Sequence, residues 1–537
     1  MNSMGKLVAA SIGSIVGLYG LLMLLLIIIF QIFGIGLDLL IITAAVILLI
    51  DFLLAPIFMD ISLNWFYKIQ WRSKEEIPQY IADFIQEICT QNNMKFPKFG
   101  IIDDKAPNAF TYGRTPNSAR VVVTKGTILM LSENELKAVI AHEMGHVIHW
   151  DMLLMTVLQL VPVVAYSIAK TLMKFATRRR SSRSSNNKSL SPQDIAMIIS
   201  IISYIVYFIS EYIILWFSRV REYYADNYSA RITGNPNYLT SALVKIGYGL
   251  KASKEDSKTQ TVSALGISDD KASKVLGIAA DRKSGVFNIQ TLKNITKWDL
   301  WNPWATVYEI NSTHPLIAKR LKKLSEQAVE MNTRPIISFD EKKTESYADD
   351  FIKELAIMFA PSIICIVGIL VAVLGYDASQ TSICLALALT FAASLLKTLY
   401  RYPTKRFDEN KVSDLLQEVK VSGVTPIPCC IKGKLMGKGT PGFMFSEDFV
   451  LEDETGIMYL DYAQPLNIWN GLFGLLKAGK YIDKEAEVKG WYRRAPIPYI
   501  EIKEMNVEGK NVKCYSYITQ IVLSVILIGV FAFFAMV

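Results

Sequence analysis

A chain of 537 residues has room for more than one domain and for a sizeable core. Half of it (51%) is apolar and its mean hydropathy is positive at +0.28, which argues against an ordinary soluble globule and for a membrane protein. The net charge of +8 is modest and forms no basic stripe interleaved with aromatics, so nucleic acid is set aside as a partner, and six cysteines without a C-x-x-C pair or framework spacing fit a reducing compartment.

In chain order, apolar runs long enough to span a bilayer occur at 7–30, 37–58, 152–175, 195–217, 355–376, 383–400 and 518–537. A span requires about 20 residues at a rise of about 1.5 Å each. The first run is too long, and too weakly followed by a small-residue cleavage site, for a removable signal peptide and reads as a signal anchor. If every run crosses, Lys6, Lys68, Arg72, Lys74, Arg219, Arg221, Lys353, Lys397, Arg401, Lys405, Arg406 and Lys513 share one side, and the positive-inside rule assigns that side to the cytoplasm. The loop bearing Arg178, Arg179, Arg180 and Arg183 falls on the opposite side. Either 152–175 and 195–217 do not cross fully or the bias is overridden there.

Three polar stretches separate the runs. The first, 74–150, predicts a helix at IPQYIADFIQEI, a strand at KFGIID, a turn, and a β-branched strand at ARVVVTKG. The second, 219–350, reads as mostly helical with a Trp-rich insert, KWDLWNPW. The third, 403–513, alternates polar and apolar residues through FVLE, GIMYLDY, AEVKGWY and YIEIKEM, with DETG as a turn. It predicts a small all-β domain of OB or barrel type. Within it, KGKLMGKGTPG lacks the Ser or Thr that must follow the lysine of a phosphate-binding loop and reads as a charged hairpin (Lys432, Lys434, Lys438, Gly437, Gly439).

The chain has four histidines, and AHEMGHVIHW holds three of them. Ser132 and Glu135 form a capping box, so a helix is expected to run from there through this stretch. His142 and His146, one turn apart, then share a face and can hold one ion, while Glu143 can take a proton from a metal-bound water. His149 lies about 10.5 Å along the axis from His142 and is too far to join the same ion. It is therefore read as a neighbouring or surface residue. A hydrolytic centre needs a third protein ligand, and the best placed is Glu222 in VREYYADNYSA, with Asp226 four residues on to hold an imidazole from behind. Spacing alone leaves this segment equally readable as a charged, solvated helix. His314 in STHP is either a donor at the site, with Arg320 and Arg221 behind it, or a turn residue set by Pro315.

In order and spacing, AHEMGH, REYYADNYSARITGNP, STHPL and PNAFTYG resemble the HtpX-type membrane-embedded zinc endopeptidases, gluzincins related to the prenyl-protein endopeptidases. The resemblance covers roughly residues 6–327. It implies one zinc per chain on His142, His146 and Glu222, Glu143 as the base, and a part for His314 in the site. The fold class is then a polytopic α-helical membrane protein with an α+β gluzincin domain formed around the spans and a small all-β domain. The expected domains are a transmembrane hairpin (1–58), the protease domain (59–350), a second hairpin (351–402), the β-rich domain (403–513) and a last helix (514–537). The two later spans and the β-rich domain depart from the family's usual four-span plan.

Function follows as hydrolysis of misfolded or membrane-associated proteins at the cytoplasmic face of the plasma membrane, in protein quality control. The partners expected are peptide substrates and the lipid bilayer, with a homo-oligomer or adaptor contact assigned to the β-rich domain. For substrate binding, Val122 is expected on an edge strand that pairs with an extended peptide, with Asn108 and Arg320 as further contacts. The competing class is a membrane scaffold or receptor whose metal site is structural or silent and whose β-rich domain binds a partner. An intact Glu143 favours the enzyme, since a structural site has no need of a base.

Overall fold

The computed structural model describes residues 68–104, 107–177, 191–252, 289–339, 343, 345–374, 380–404, 406–438, 447–495 and 497–536, with scattered positions between 13 and 65. Two compact units emerge: 1–249 with 258–269 and 309–338, and 250–257 with 270–308 and 339–537. The expected boundary at 350 therefore differs from the packing, because 270–308 clusters with the C-terminal unit.

The first unit carries a four-stranded sheet. Its strands are β1 (Gln70–Arg72), β2 (Lys98–Ile102), β3 (Ala109–Tyr112) and β4 (Arg120–Thr124), with α1 (Gln79–Gln91) between β1 and β2 on the chain. The order is β1-β2-β4-β3, with β2 and β4 parallel and the other pairs antiparallel. β4 is thus an inner strand, and Val122 is fully buried between neighbours on both sides. The expectation of an edge strand at Val122 is corrected: the edges are β1 and β3, the latter four residues within the stretch read as a turn. Such a short strand carries too little alternation to stand out in the sequence. Asp60 braces this sheet, accepting from Arg120 Nε (2.7 Å) and Nη2 (2.6 Å) and from the Tyr112 hydroxyl (2.7 Å).

Ser132 caps α2 (Glu133–Ile148), with Glu135 reaching back to the Ser132 N–H at 2.8 Å. The helix breaks at Trp150, which adopts a left-handed φ of 59°. From that bend rises α3 (Asp151–Ala176), which packs along α4 (Pro192–Thr233). At 42 residues α4 is roughly 63 Å long, about twice the hydrocarbon thickness of a bilayer, so one continuous helix can cross and still extend well beyond it. α5 (Ile317–Glu330) packs against α4.

The second unit contains α6 (Ala348–Leu374), α7 (Gln380–Arg401) and a C-terminal β domain followed by α9 (Ser516–Met536). Its strands are β5 (Asp408–Glu409), β6 (Ile427–Lys438), β7 (Phe449–Glu452), β8 (Ile457–Asp461), β9 (Glu485–Arg494), β10 (Pro498–Val507) and β11 (Lys510–Lys513), with α8 (Asn467–Leu476) between β8 and β9. Pairing runs β6-β7-β8-β10-β9 and back to β6, which closes a five-stranded barrel. Closure demands sharp strand approach at Gly490, where a Cβ would come within 2.2 Å of the Glu501 carbonyl oxygen. Lys432, Lys434 and Lys438 lie along β6, while Gly439 falls outside the described residues.

Among the described residues, five helices are long and apolar enough to cross a membrane: α3, α4, α6, α7 and α9. The chain is a multi-pass membrane protein. The expected span at 7–30 is described in part, with Val16–Leu26 helical, while that at 37–58 falls largely, and the basic loop at 178–183 wholly, outside the described residues.

Candidate metal centre

α2 presents His142 and His146 on one face, and α4 lies directly against it. Two features permit the close approach. Gly145 carries no side chain where a Cβ would meet the Ala225 Cα at 3.1 Å, and the Ser229 hydroxyl donates to the Ala138 carbonyl at 2.6 Å. Glu222 is thereby brought to the histidines. His142 Nε2 and His146 Nε2 stand 3.3 Å apart, and each lies 3.5 Å and 3.4 Å, respectively, from a Glu222 carboxylate oxygen.

These separations fit a metal. Four ligands placed tetrahedrally at about 2.0–2.1 Å from an ion are about 3.3 Å from one another. Glu222 Oε2 is buried and makes no aligned hydrogen bond, although His314 Nδ1 stands 3.2 Å away. It has the posture of an oxygen turned toward a cation.

Each imidazole is gripped from behind by a carboxylate. Asp226 Oδ1 lies 2.9 Å from His142 Nδ1, and Asp151 Oδ2 lies 2.7 Å from His146 Nδ1. Burial disfavours the charged form of His142, but the Asp226 and Glu222 carboxylates outweigh it and hold its pKa above the ordinary imidazole value. For His146 the same contest, with Asp151 and Glu222 against burial, pushes the pKa up to about 10. The Arg320 guanidinium faces Asp226 and Glu222, while Asp151 has Arg221 Nη1 at 3.9 Å beside His146.

Arg320, expected among the substrate contacts, is turned inward. It is fully buried, donating to Asp226 through Nε (2.9 Å) and Nη2 (2.6 Å) and standing 3.5 Å from Glu222. Its charge is matched by the Asp226 and Glu222 carboxylates on α4. Asn108 is also buried, and its side-chain oxygen accepts from the Ala109 N–H at 2.9 Å, within the sheet. His149 caps the end of α2 and packs edge-on against Tyr224 and Tyr228, away from the three clustered groups. Glu143 is buried beside the ligand pair.

Two participants went unread in the sequence. Asp151 is five residues beyond His146, a spacing that no unbroken helix brings back to it; the left-handed turn at Trp150 does so. Arg219 counted only as a topological charge, yet its Nη1 donates to the carbonyls of Glu309 (2.9 Å), Ile310 (3.1 Å) and Ser312 (2.8 Å). That grip fixes the loop that carries His314 against α4.

The spans, the paired helices and the three-ligand cluster define the chain as a membrane protein with a candidate metal centre on its helices. A family model described as Peptidase family M48 matches residues 75–328. A protease HtpX homolog of Methanothermobacter thermautotrophicus is 33% identical over 235 residues, which is 44% of this chain and 77% of that protein. A protease HtpX homolog of Aeropyrum pernix is 28% identical over 334 residues, which is 60% and 97% of the two chains. Among solved structures, the crystal structure of S. mikatae Ste24p aligns over 59% of this chain and 66% of that one, at 18% identity and a TM-score of 0.33. The chain belongs to peptidase family M48, and within it to the HtpX-type membrane metalloproteases. Its substrates are accordingly peptides.

Proposed function

We propose that the protein is a zinc-dependent endopeptidase that cuts misfolded or membrane-associated proteins on the cytoplasmic side of the plasma membrane. One zinc ion is held by His142, His146 and Glu222. The observation that carries this reading is the set of ligand separations, 3.3, 3.4 and 3.5 Å, with a glutamate next to the first ligand in sequence. When bound, the ion supplies Lewis acidity, lowering the pKa of water toward neutrality and polarising a carbonyl.

The chain's own residues do the rest. Glu143 takes the proton that water sheds as it attacks the peptide carbonyl, then returns it to the leaving amine. Asp151 fixes the tautomer of His146 by accepting from Nδ1, and the Asp226 carboxylate, 2.9 Å from His142 Nδ1, orients that ring by its charge, which leaves each Nε2 as the ligand atom. His314 donates to the carbonyl oxygen as it gains charge, and Arg219 holds the loop that positions it. An extended substrate adds to the sheet at edge strand β3 through backbone hydrogen bonds, which reads side chains weakly and suits unfolded segments. The basic residues flanking the spans, Lys68, Arg72, Lys74, Arg219 and Arg221 among them, support the cytoplasmic assignment.

The test is Glu143→Gln in the purified, zinc-loaded protein. Zinc content should stay at the parent level while cleavage of an unfolded protein such as casein falls about 10²- to 10⁴-fold. Parental cleavage by a variant that keeps its zinc would end the enzyme reading.

A further inference from the structure

The helix α8 has two apolar faces where a soluble domain tolerates one. Its inner face is accounted for: Phe473 stacks on Tyr462 at 4.0 Å between centroids and meets Phe449 edge-on, with Asn470 and Gly474 buried beside it. Its outer face is not. Leu466, Ile468 (66% exposed), Trp469 (56%), Leu472, Leu475 and Leu476 (61%) run exposed from one end of the helix to the other. A stripe of this size on a folded domain marks a surface that something covers.

What covers it is indicated by the link between α8 and α9. Three residues before α8, the Gln464 side chain donates to the Lys513 carbonyl at 2.7 Å and accepts from the Tyr515 N–H at 3.3 Å. Its own N–H donates to the buried Asn470 at 2.8 Å, so Gln464 ties the first turns of α8 to the residues that lead into α9. With 21 residues, α9 is about 31 Å long, which matches the hydrocarbon thickness of a bilayer. Its start at Ser516 therefore lies at the hydrocarbon boundary, with Tyr515 and Tyr517 at headgroup level as in an aromatic belt. The N-terminus of α8 is pinned at that same level.

From there α8 extends for about 15 Å. Were it to run away from the bilayer, Leu472, Leu475 and Leu476 would stand in water at the far end. Lying in the membrane plane, the whole stripe enters lipid, while the inner face stays on the barrel. Lys477 and Lys480, both exposed, follow the helix directly and meet the headgroups. This combination of apolar stripe, tryptophan and terminal lysines has the make-up of an interfacial helix.

We propose that α8 is an interfacial membrane helix, whose outer face inserts into the phospholipid surface beside α9 and docks the β-barrel flat against the bilayer. The barrel is then held at two points, the entry of α9 and the length of α8, instead of swinging on a single tether.

The full chain, reconstituted in phosphatidylcholine and phosphatidylglycerol vesicles containing a lipid with a diazirine on its acyl chain, tests this by irradiation, digestion and mapping of the adducts. Adducts on 466–476 should match in yield those on the first two turns of α9, and Trp469→Phe should leave them unchanged. Ile468→Asp combined with Leu475→Asp should lower them about tenfold while α9 stays labelled, since each change removes apolar burial. The map of the parent chain decides even if the double variant does not fold. The proposal is overturned if 466–476 stays unlabelled while α9 is labelled.

Discussion

Arg320 and Asp226 meet in a fully buried two-point contact, Nη2 to Oδ1 at 2.6 Å and Nε to Oδ2 at 2.9 Å, and the same Oδ1 lies 2.9 Å from His142 Nδ1. One guanidinium thus balances the carboxylate that orients an imidazole. Removing it as Arg320→Met leaves Asp226 as an uncompensated buried charge, which should cost about 3–5 kcal/mol and show as a large drop in thermal unfolding temperature. Arg320→Lys keeps the charge but not the planar fork and should recover only part of the loss. Parental stability in Arg320→Met would refute the role.

Asp151 does for His146 what Asp226 does for His142, at 2.7 Å. Asp151→Asn should weaken metal affinity about 10- to 100-fold, measured by competition with a chelator. The fold should persist, because the asparagine preserves shape. Equal chelator resistance in parent and variant would count against the assignment.

Gly145 sets the distance between α2 and α4. In Gly145→Val the new side chain must push against the Ala225 backbone, 3.1 Å from where its Cβ would sit. We expect about 1–3 kcal/mol of destabilisation from overpacking, and loss of metal retention because Glu222 moves with α4. A variant that keeps metal at the parent level would show that the helices approach without help from this glycine.

The grip of Arg219 on three carbonyls makes a separable prediction. Arg219→Gln should leave metal content intact and lower kcat, less than the about 10²- to 10³-fold expected for removing the His314 side chain outright. A change confined to KM would instead assign Arg219 to substrate binding.

In the barrel, burial pushes the Asp461 carboxyl up to about 7, with the Asp448 and Glu501 charges adding to it. A carboxyl raised in the folded state binds more protons than its unfolded counterpart between the ordinary Asp range near pH 4 and pH 7. Its contribution to stability is therefore complete at acid pH and is lost as pH rises toward 7. Asp461→Asn should flatten the fall of thermal stability between about pH 4 and pH 7. An unchanged slope would mean that the group titrates normally.

The sequence by itself determined what depends on neighbours within a turn or two. The capping box at Ser132 and the one-turn spacing of His142 and His146 specify a helix with both imidazoles on one side, and long apolar runs specify α3, α4, α6, α7 and α9. Alternation in FVLE, GIMYLDY, AEVKGWY and YIEIKEM specifies the barrel strands, since period-two patterning is local. Which strands lie at the sheet edges came from the packing alone, because β3 is too short to carry a pattern and its place depends on pairing with β4. It alone joined Asp226 to Arg320, 94 residues away, and turned Asp151 back on His146 through one left-handed residue. It also placed the start of α8 at the foot of α9. Such pairings come from packing and buried charge balance, where the partner is chosen by the fold and leaves no period behind in the chain.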